Sequence, residues 1–244
     1  DYSKDNVPYH PASWAPVSMQ GYQDKSFAMT VGYPGSTNRY LSSYGIQQRR
    51  DIENAARIHS RAIRLAIMKR YMRADEHTRI QYEDQYVGAA NYWKNSIGMN
   101  KCIDSIGLIR QKLQYEEKIQ KWLKEKKTQD EATNVDFEKL AQLYTKAAPA
   151  VNAYTYLNES FWRTSEFFTR AFNIIRGKGM KIVGNPGDKK QYAVFEDNSD
   201  KWNLALDKEL TAAMLKDYAE QVPGEYQPEF LKTAKKKFGG DYMK

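Results

Sequence analysis

The stretch Phe27-Ala-Met-Thr-Val-Gly-Tyr-Pro-Gly-Ser-Thr-Asn-Arg-Tyr40 constrains this chain more than any other, because an apolar and β-branched run leads straight into a glycine-proline turn. Phe27 to Val31 predicts a buried strand, which Gly32, Pro34 and Gly35 stop with a turn that needs positive or fixed φ. Beyond the turn lie roughly 200 residues of helical pattern, with too few partner strands to close a sheet around the first one. The expectation is a mainly α fold: an irregular multi-helix domain with an N-terminal strand and loop segment. The chain reads as an internal piece of a larger protein, with residues 1–45 as the strand and loop segment and 46–244 as the helical domain.

Of the 244 residues, 41% are hydrophobic, enough for a sizeable core. The 38 Lys and Arg exceed the 30 Asp and Glu and give a formal charge of +8, which admits an acidic partner. The basic runs, Lys124-Glu-Lys-Lys127 and Lys235-Lys-Lys237, lie at expected helix ends, where cations complement the helix dipole in solvent. Neither is interleaved with stacking aromatics, so no nucleic-acid partner is expected. Cys102 is the single cysteine, which excludes an internal disulfide and a cysteine-based zinc site. No apolar run approaches the ~18 residues of a membrane span. The chain opens at Asp1 without a leader, which is uninformative if the piece is internal.

Ile52, Ala55, Ala56, His59, Ile63, Ala66, Ile67 and Tyr71 recur at three- and four-residue spacing and predict one face of a long first helix from about Ile46. Glu53 and Arg57 are placed to pair across one turn. A second helix is expected from about Glu76 to Ile97, ended by Gly98, and a third from Met99 to Lys127. Asn134 is a candidate cap for a fourth helix, Val135 to Ala148, with a kink or restart at Pro149. The aromatic segment Val151 to Arg176 is the expected centre of the core. Residues 177–198 read as a long loop with a short strand at Tyr192 to Phe195, followed by helices at 200–221 and 228–238.

His10, His59 and His77 lack metal partners at helical spacing, and no glycine motif has the order of a P-loop or a nucleophile elbow. No cofactor and no metal is expected. The second helix is different. Asp84, Gly88, Asn91 and Asn95 fall on one polar, small-residue stripe, opposite Tyr86, Ala90, Trp93 and Ile97. Asparagine is a poor helix former, so two of them one turn apart ask for a reason. A carboxamide oxygen accepts from an ammonium while its NH₂ donates to a carbonyl, so the stripe suits the end of a peptide, with Gly88 leaving room for it. A plain solvent face or an interhelical polar contact would also account for the spacing.

Asn6-Val-Pro-Tyr9, then Phe27 to Gly45, then Ala90-Asn-Tyr-Trp-Lys-Asn-Ser-Ile-Gly-Met99, and finally Phe238-Gly-Gly-Asp-Tyr242 resemble the bacterial dipeptidyl-peptidases of serine peptidase family 46, in the family's order. The resemblance implies a periplasmic or cell-surface enzyme that removes dipeptides from free N-termini. It further implies a chymotrypsin-like double β-barrel interrupted by a helical domain that caps the active site. Residues 1–45 would then be the end segment of the barrel lobe, and the barrel the partner of the helical domain within a parent that is allowed to be a homodimer. The family's catalytic His, Asp and Ser map to no position of this chain, which alone should be inactive. Its asparagine for the substrate α-amino group maps to Asn91, with Gly88, Trp93 and Asn95 as supporting positions. Two rivals stand beside this reading: a non-enzymatic helical interaction module and a basic helical nucleic-acid-binding protein.

Overall fold

In a computed structural model of the chain, residues 3–29, 31–32, 35, 37–126, 136–161, 164–176, 180–183, 192–195 and 202–243 are described. The chain divides into two units, Asp1–Arg39 and Tyr40–Lys244.

The described residues of the first unit form neither helix nor strand. Local turns organise it: Asn6 N–H donates to the Ser3 carbonyl at 3.2 Å and Ser26 N–H to the Gln23 carbonyl at 3.1 Å. Gly32 and Gly35 take φ of 125° and 93°, the left-handed values the turn requires. The strand expected at Phe27–Val31 does not form among its described residues, and Phe27 is 90% exposed. A strand is held by hydrogen bonds to a neighbour, and the described residues of this unit offer no edge to pair with.

The second unit is mainly helical. Its first rod is made of α1 (Ser43–Gln48), a π-helical stretch (Arg49–Asn54) and α2 (Ala55–Ala74), in unbroken succession. The hydroxyl of Ser42 caps α1 by accepting from Gly45 N–H. The buried stripe of α2 carries Ala56, Ser60, Arg64, Leu65, Met68 and Met72, one position away from the stripe expected around Ala55, His59 and Ile63. The offset arises because Ser60, polar by type, is matched inside the fold, where its hydroxyl donates to Asp217 at 2.6 Å.

Asp75 both ends the first rod and caps α3 (Glu76–Ser105), its carboxylate accepting from Thr78 N–H at 2.8 Å. Helix α3 continues straight through Gly98, its expected end. A lone glycine costs about 1 kcal/mol against alanine, and packing against the first rod supports the turns on either side. The two rods run antiparallel, since Asn54 meets Asn100, Ile58 meets Trp93 and Arg61 meets Ala89. Gly107, at φ 61°, breaks the chain before α4 (Leu108–Lys126), which starts well after the expected Met99. Glu116 of α4 is buried and accepts from Ser43, tying α4 to α1.

Helix α5 (Phe137–Ser160) is capped by Asp136, while Asn134, the expected cap, lies outside the described residues. It passes through Pro149 without a restart. Proline removes the bond to the carbonyl of Thr145 and crowds it, but both residues are exposed, where that carbonyl can tilt out to water. Ser165 caps α6 (Glu166–Ile175), and Asp207 adds two further acceptors for the N–H groups of Glu166 and Phe167. In the region read as a loop, β1 (Met180–Val183) and β2 (Tyr192–Phe195) pair antiparallel, Met180 opposite Phe195. The second strand matches expectation and the first does not. The unit closes with α7 (Leu204–Gln221), a 3₁₀ turn at Gly224–Tyr226 and α8 (Glu229–Phe238), which Gly239 ends at φ 62°.

The core lies in two clusters. Met68, Met72 and Tyr82 pack with Leu206, Leu210 and Met214 of α7. Ala56, Ala153 and Tyr156 pack with Tyr218, Val222 and Leu231. Phe161 joins the second cluster, its ring edge-on to Tyr218 at 5.1 Å and to Phe168 at 4.8 Å. The aromatic segment thus supplies core residues, though Tyr154 and Phe167 stay exposed.

Candidate functional site

The polar stripe of α3 survives in the structure as an exposed surface. Asp84, Gly88, Asn91 and Asn95 all face solvent, and neither asparagine side chain makes a hydrogen bond among the described residues. A Cβ added at Gly88 would meet nothing within 4 Å, so the surface beside Asn91 is open. Two uncommitted carboxamides one turn apart can each offer an acceptor to an ammonium and donors to a carbonyl. An interhelical polar contact, the second explanation for the spacing, is not what these two residues make.

Trp93 behaves differently from the other expected site residues. It lies half-buried against α2, and its indole N–H donates to the Ile58 carbonyl at 3.1 Å. Its place is behind the stripe. The buried side of α3 carries Tyr82, Ala89, Ser96 and Ile103 at seven-residue spacing, while Ile97, expected on that side, is exposed.

Against Ala89 and Tyr92 of α3 sits an ionic cluster that residue spacing could not have assembled. Glu159 of α5 is 6% exposed and receives two arginines from α2. Arg61 approaches it with Nε at 2.7 Å from Oε2 and Nη2 at 3.2 Å from Oε1, a two-pronged contact, and Arg57 Nε lies 3.2 Å from Oε1. Arg61 also donates to the Ala89 carbonyl at 3.1 Å and stands 5.1 Å from the centre of the Tyr92 ring. Arg64 is buried close by, and desolvation, helped by the charge of Arg61, pulls its guanidinium down to about 10. The pairing expected between Glu53 and Arg57 is replaced: Glu53 meets Arg49 at 2.6 Å and Arg57 turns inward. The only local hint is that Arg57 and Arg61 stand one turn apart; their acid is 98 residues from Arg61.

A serine, a histidine and an aspartate do meet elsewhere. Ser60 donates to Asp217 Oδ2 at 2.6 Å, and His59 Nε2 lies 2.9 Å from Asp217 Oδ1. The aspartate stands between the other two, whereas nucleophilic catalysis needs the histidine there, so this trio cannot activate the hydroxyl. His10 and His77 are exposed.

Comparison with known proteins places this geometry in context. The peptidase S46 family profile matches residues 1–244. The chain is 35% identical over 243 residues to dipeptidyl-peptidase 7 of Porphyromonas endodontalis, covering 100% of this chain and 29% of that protein. It is 37% identical over 246 residues to dipeptidyl-peptidase 7 of Porphyromonas gingivalis, covering 100% of this chain and 34% of that protein. An Asp/Glu-specific dipeptidyl-peptidase of Flavobacterium psychrophilum is 32% identical over 249 residues, with 97% of this chain and 34% of that protein covered. The chain therefore spans about a third of the length of these curated relatives. The crystal structure of Porphyromonas endodontalis DPP11 in complex with the dipeptide Arg-Glu shares the fold, with a TM-score of 0.70, 24% identity, and coverage of 99% of this chain and 35% of that one.

Proposed function

Because this chain belongs to the peptidase S46 family, we propose that it is the helical part of a serine dipeptidyl-peptidase that releases dipeptides from free peptide N-termini. The observation that carries this reading is the match over the whole chain to relatives named dipeptidyl-peptidases, each about three times as long as the matched stretch. On this reading the catalytic His, Asp and Ser sit in a β-barrel lobe of the parent, of which the unit ending at Arg39 is the end segment. Such an origin also accounts for the apolar run at Phe27–Val31, which finds no sheet partner among the described residues of its own unit. The parent works in the periplasm or at the cell surface.

The helical unit covers the active site, and Asn91 accepts from the substrate's α-ammonium. Its exposure, its lack of internal partners and the open space at Gly88 support that role. Asn95, one turn on, assists from the same face. A contact at the N-terminus fixes the distance to the scissile bond and so makes the enzyme count two residues. The test is an assay of fluorogenic dipeptidyl substrates with free and acetylated N-termini. The longer enzyme containing this chain should cleave the free form and leave the acetylated one, while the isolated chain cleaves neither. Equal cleavage of both forms by the longer enzyme, or turnover by the isolated chain, would overturn the assignment.

A further inference from the structure

Resting on the assignment of Asn91 to the substrate N-terminus, we propose that Arg61 is a positioning residue for that contact: held by Glu159, it fixes the turn of α3 that carries Asn91. The Asn91 carboxamide has no hydrogen bond among the described residues to orient it. Its carboxamide can present a defined acceptor only if the main chain beneath is fixed.

The residues around it are the ones tied down. Ala89 is held through its carbonyl by Arg61 Nη1 at 3.1 Å, Tyr92 through its ring by the same guanidinium at 5.1 Å, and Trp93 through its indole by Ile58 at 3.1 Å. The Ala89 carbonyl lies within a continuous helix, so the bond from Arg61 is a second one that a helix does not require. Arg61 reaches it with Nη1 because Nε and Nη2 are both engaged by Glu159. The planar fork thus links α5, α2 and α3 at one point. The guanidinium charge cannot itself attract an ammonium, so its contribution to binding runs through geometry.

Arg61→Lys keeps the charge and loses the fork, because one ammonium cannot serve Glu159, Ala89 and Tyr92 together. In the longer enzyme, Arg61→Lys and Asn91→Ala are made singly and together and assayed on a dipeptidyl substrate with a free N-terminus. Arg61→Lys should raise KM roughly 10-fold with kcat nearly unchanged, the pattern of lost binding common to ground and transition states. The double variant should be no worse than Asn91→Ala alone, because a residue that acts through Asn91 has nothing left to position. A wild-type KM in Arg61→Lys, or losses that multiply in the double variant, would overturn the inference. Impairment in Asn91→Ala beside a silent Arg61→Lys removes only this inference; a silent Asn91→Ala removes the N-terminus assignment and the inference with it. If Arg61→Lys does not fold, Tyr92→Leu probes the same coupling at a residue that is 60% exposed. It should raise KM roughly 2- to 5-fold, with the same absence of additivity on Asn91→Ala. An unchanged KM there counts against the proposal equally.

Discussion

The carboxylate of Glu116 accepts from both hydrogen-bond donors of Ser43, its main-chain N–H and its hydroxyl, each at 2.6 Å. Both residues are buried, and they bring the fourth helix to the start of the first. Glu116→Ala would leave two buried donors without partners, at a cost of about 1–3 kcal/mol for each unsatisfied group. The expected outcome is a clear drop in the denaturant midpoint with an unchanged m-value. Glu116→Gln, which keeps one acceptor, should fall between. A midpoint equal to the wild type in Glu116→Ala would show that solvent replaces the carboxylate.

The same contact fixes where the helical unit can be cut. The division of the chain falls at Tyr40, and Ser42 and Ser43 already belong to the first helix and its cap. A protein comprising residues 40–244 should melt cooperatively. One comprising 46–244 loses the Ser42 cap and the Glu116–Ser43 bonds, and should melt lower. Equal melting temperatures for the two would contradict this.

Asp207 predicts a pH dependence. It is buried, and desolvation raises its pKa above the ordinary carboxylate value, although the Glu166 and Phe167 N–H groups pull the other way. A raised folded-state pKa means that the native state binds more protons than the unfolded chain between the two values, so stability falls as pH rises through that window. The wild type should therefore gain stability relative to Asp207→Asn as pH is lowered from about 7 towards 4. A stability difference that is flat across this range would refute it. Asp75 has the opposite sign: its bonds from Thr78 lower its pKa, so its contribution is present above the unfolded value and lost as acid protonates it.

In the longer enzyme, Asn91→Ala should lose the hydrogen bond to a charged group, about 1.5–3 kcal/mol, or roughly a 10- to 150-fold fall in kcat/KM. Asn95→Ala should be milder. Wild-type kcat/KM for a folded Asn91→Ala enzyme would return the stripe to an ordinary solvent face.

How far the residues alone reach depends on how local each structural decision is. The α3 stripe is legible because its spacing lies within one helix, and the structure exposes Asn91 and Asn95 as the period implies. The offset of the α2 face is not, because Ser60 and Arg64 are polar by type and are buried only where distant partners or neighbours meet them. Intrinsic preference makes Gly98 and Pro149 read as breaks, and packing and solvent access override it. The strand expected at Phe27–Val31 rests on composition, which cannot supply the neighbour that a strand needs. Glu159 and its arginines are beyond reach, since no local rule joins residues 98 positions apart.

The seventh helix contributes to both core clusters, and the bond between Ser60 and its Asp217 closes a separation of 157 residues. During synthesis at about 5–20 residues per second, Ser60 therefore waits roughly 8–30 s for its acceptor to be made. Until then the faces of Met68 and Tyr82 have no cover from Leu206 or Leu210. The nascent chain must cross that interval with its interior open, a burden for chaperones to carry until the late-made helix arrives to close it.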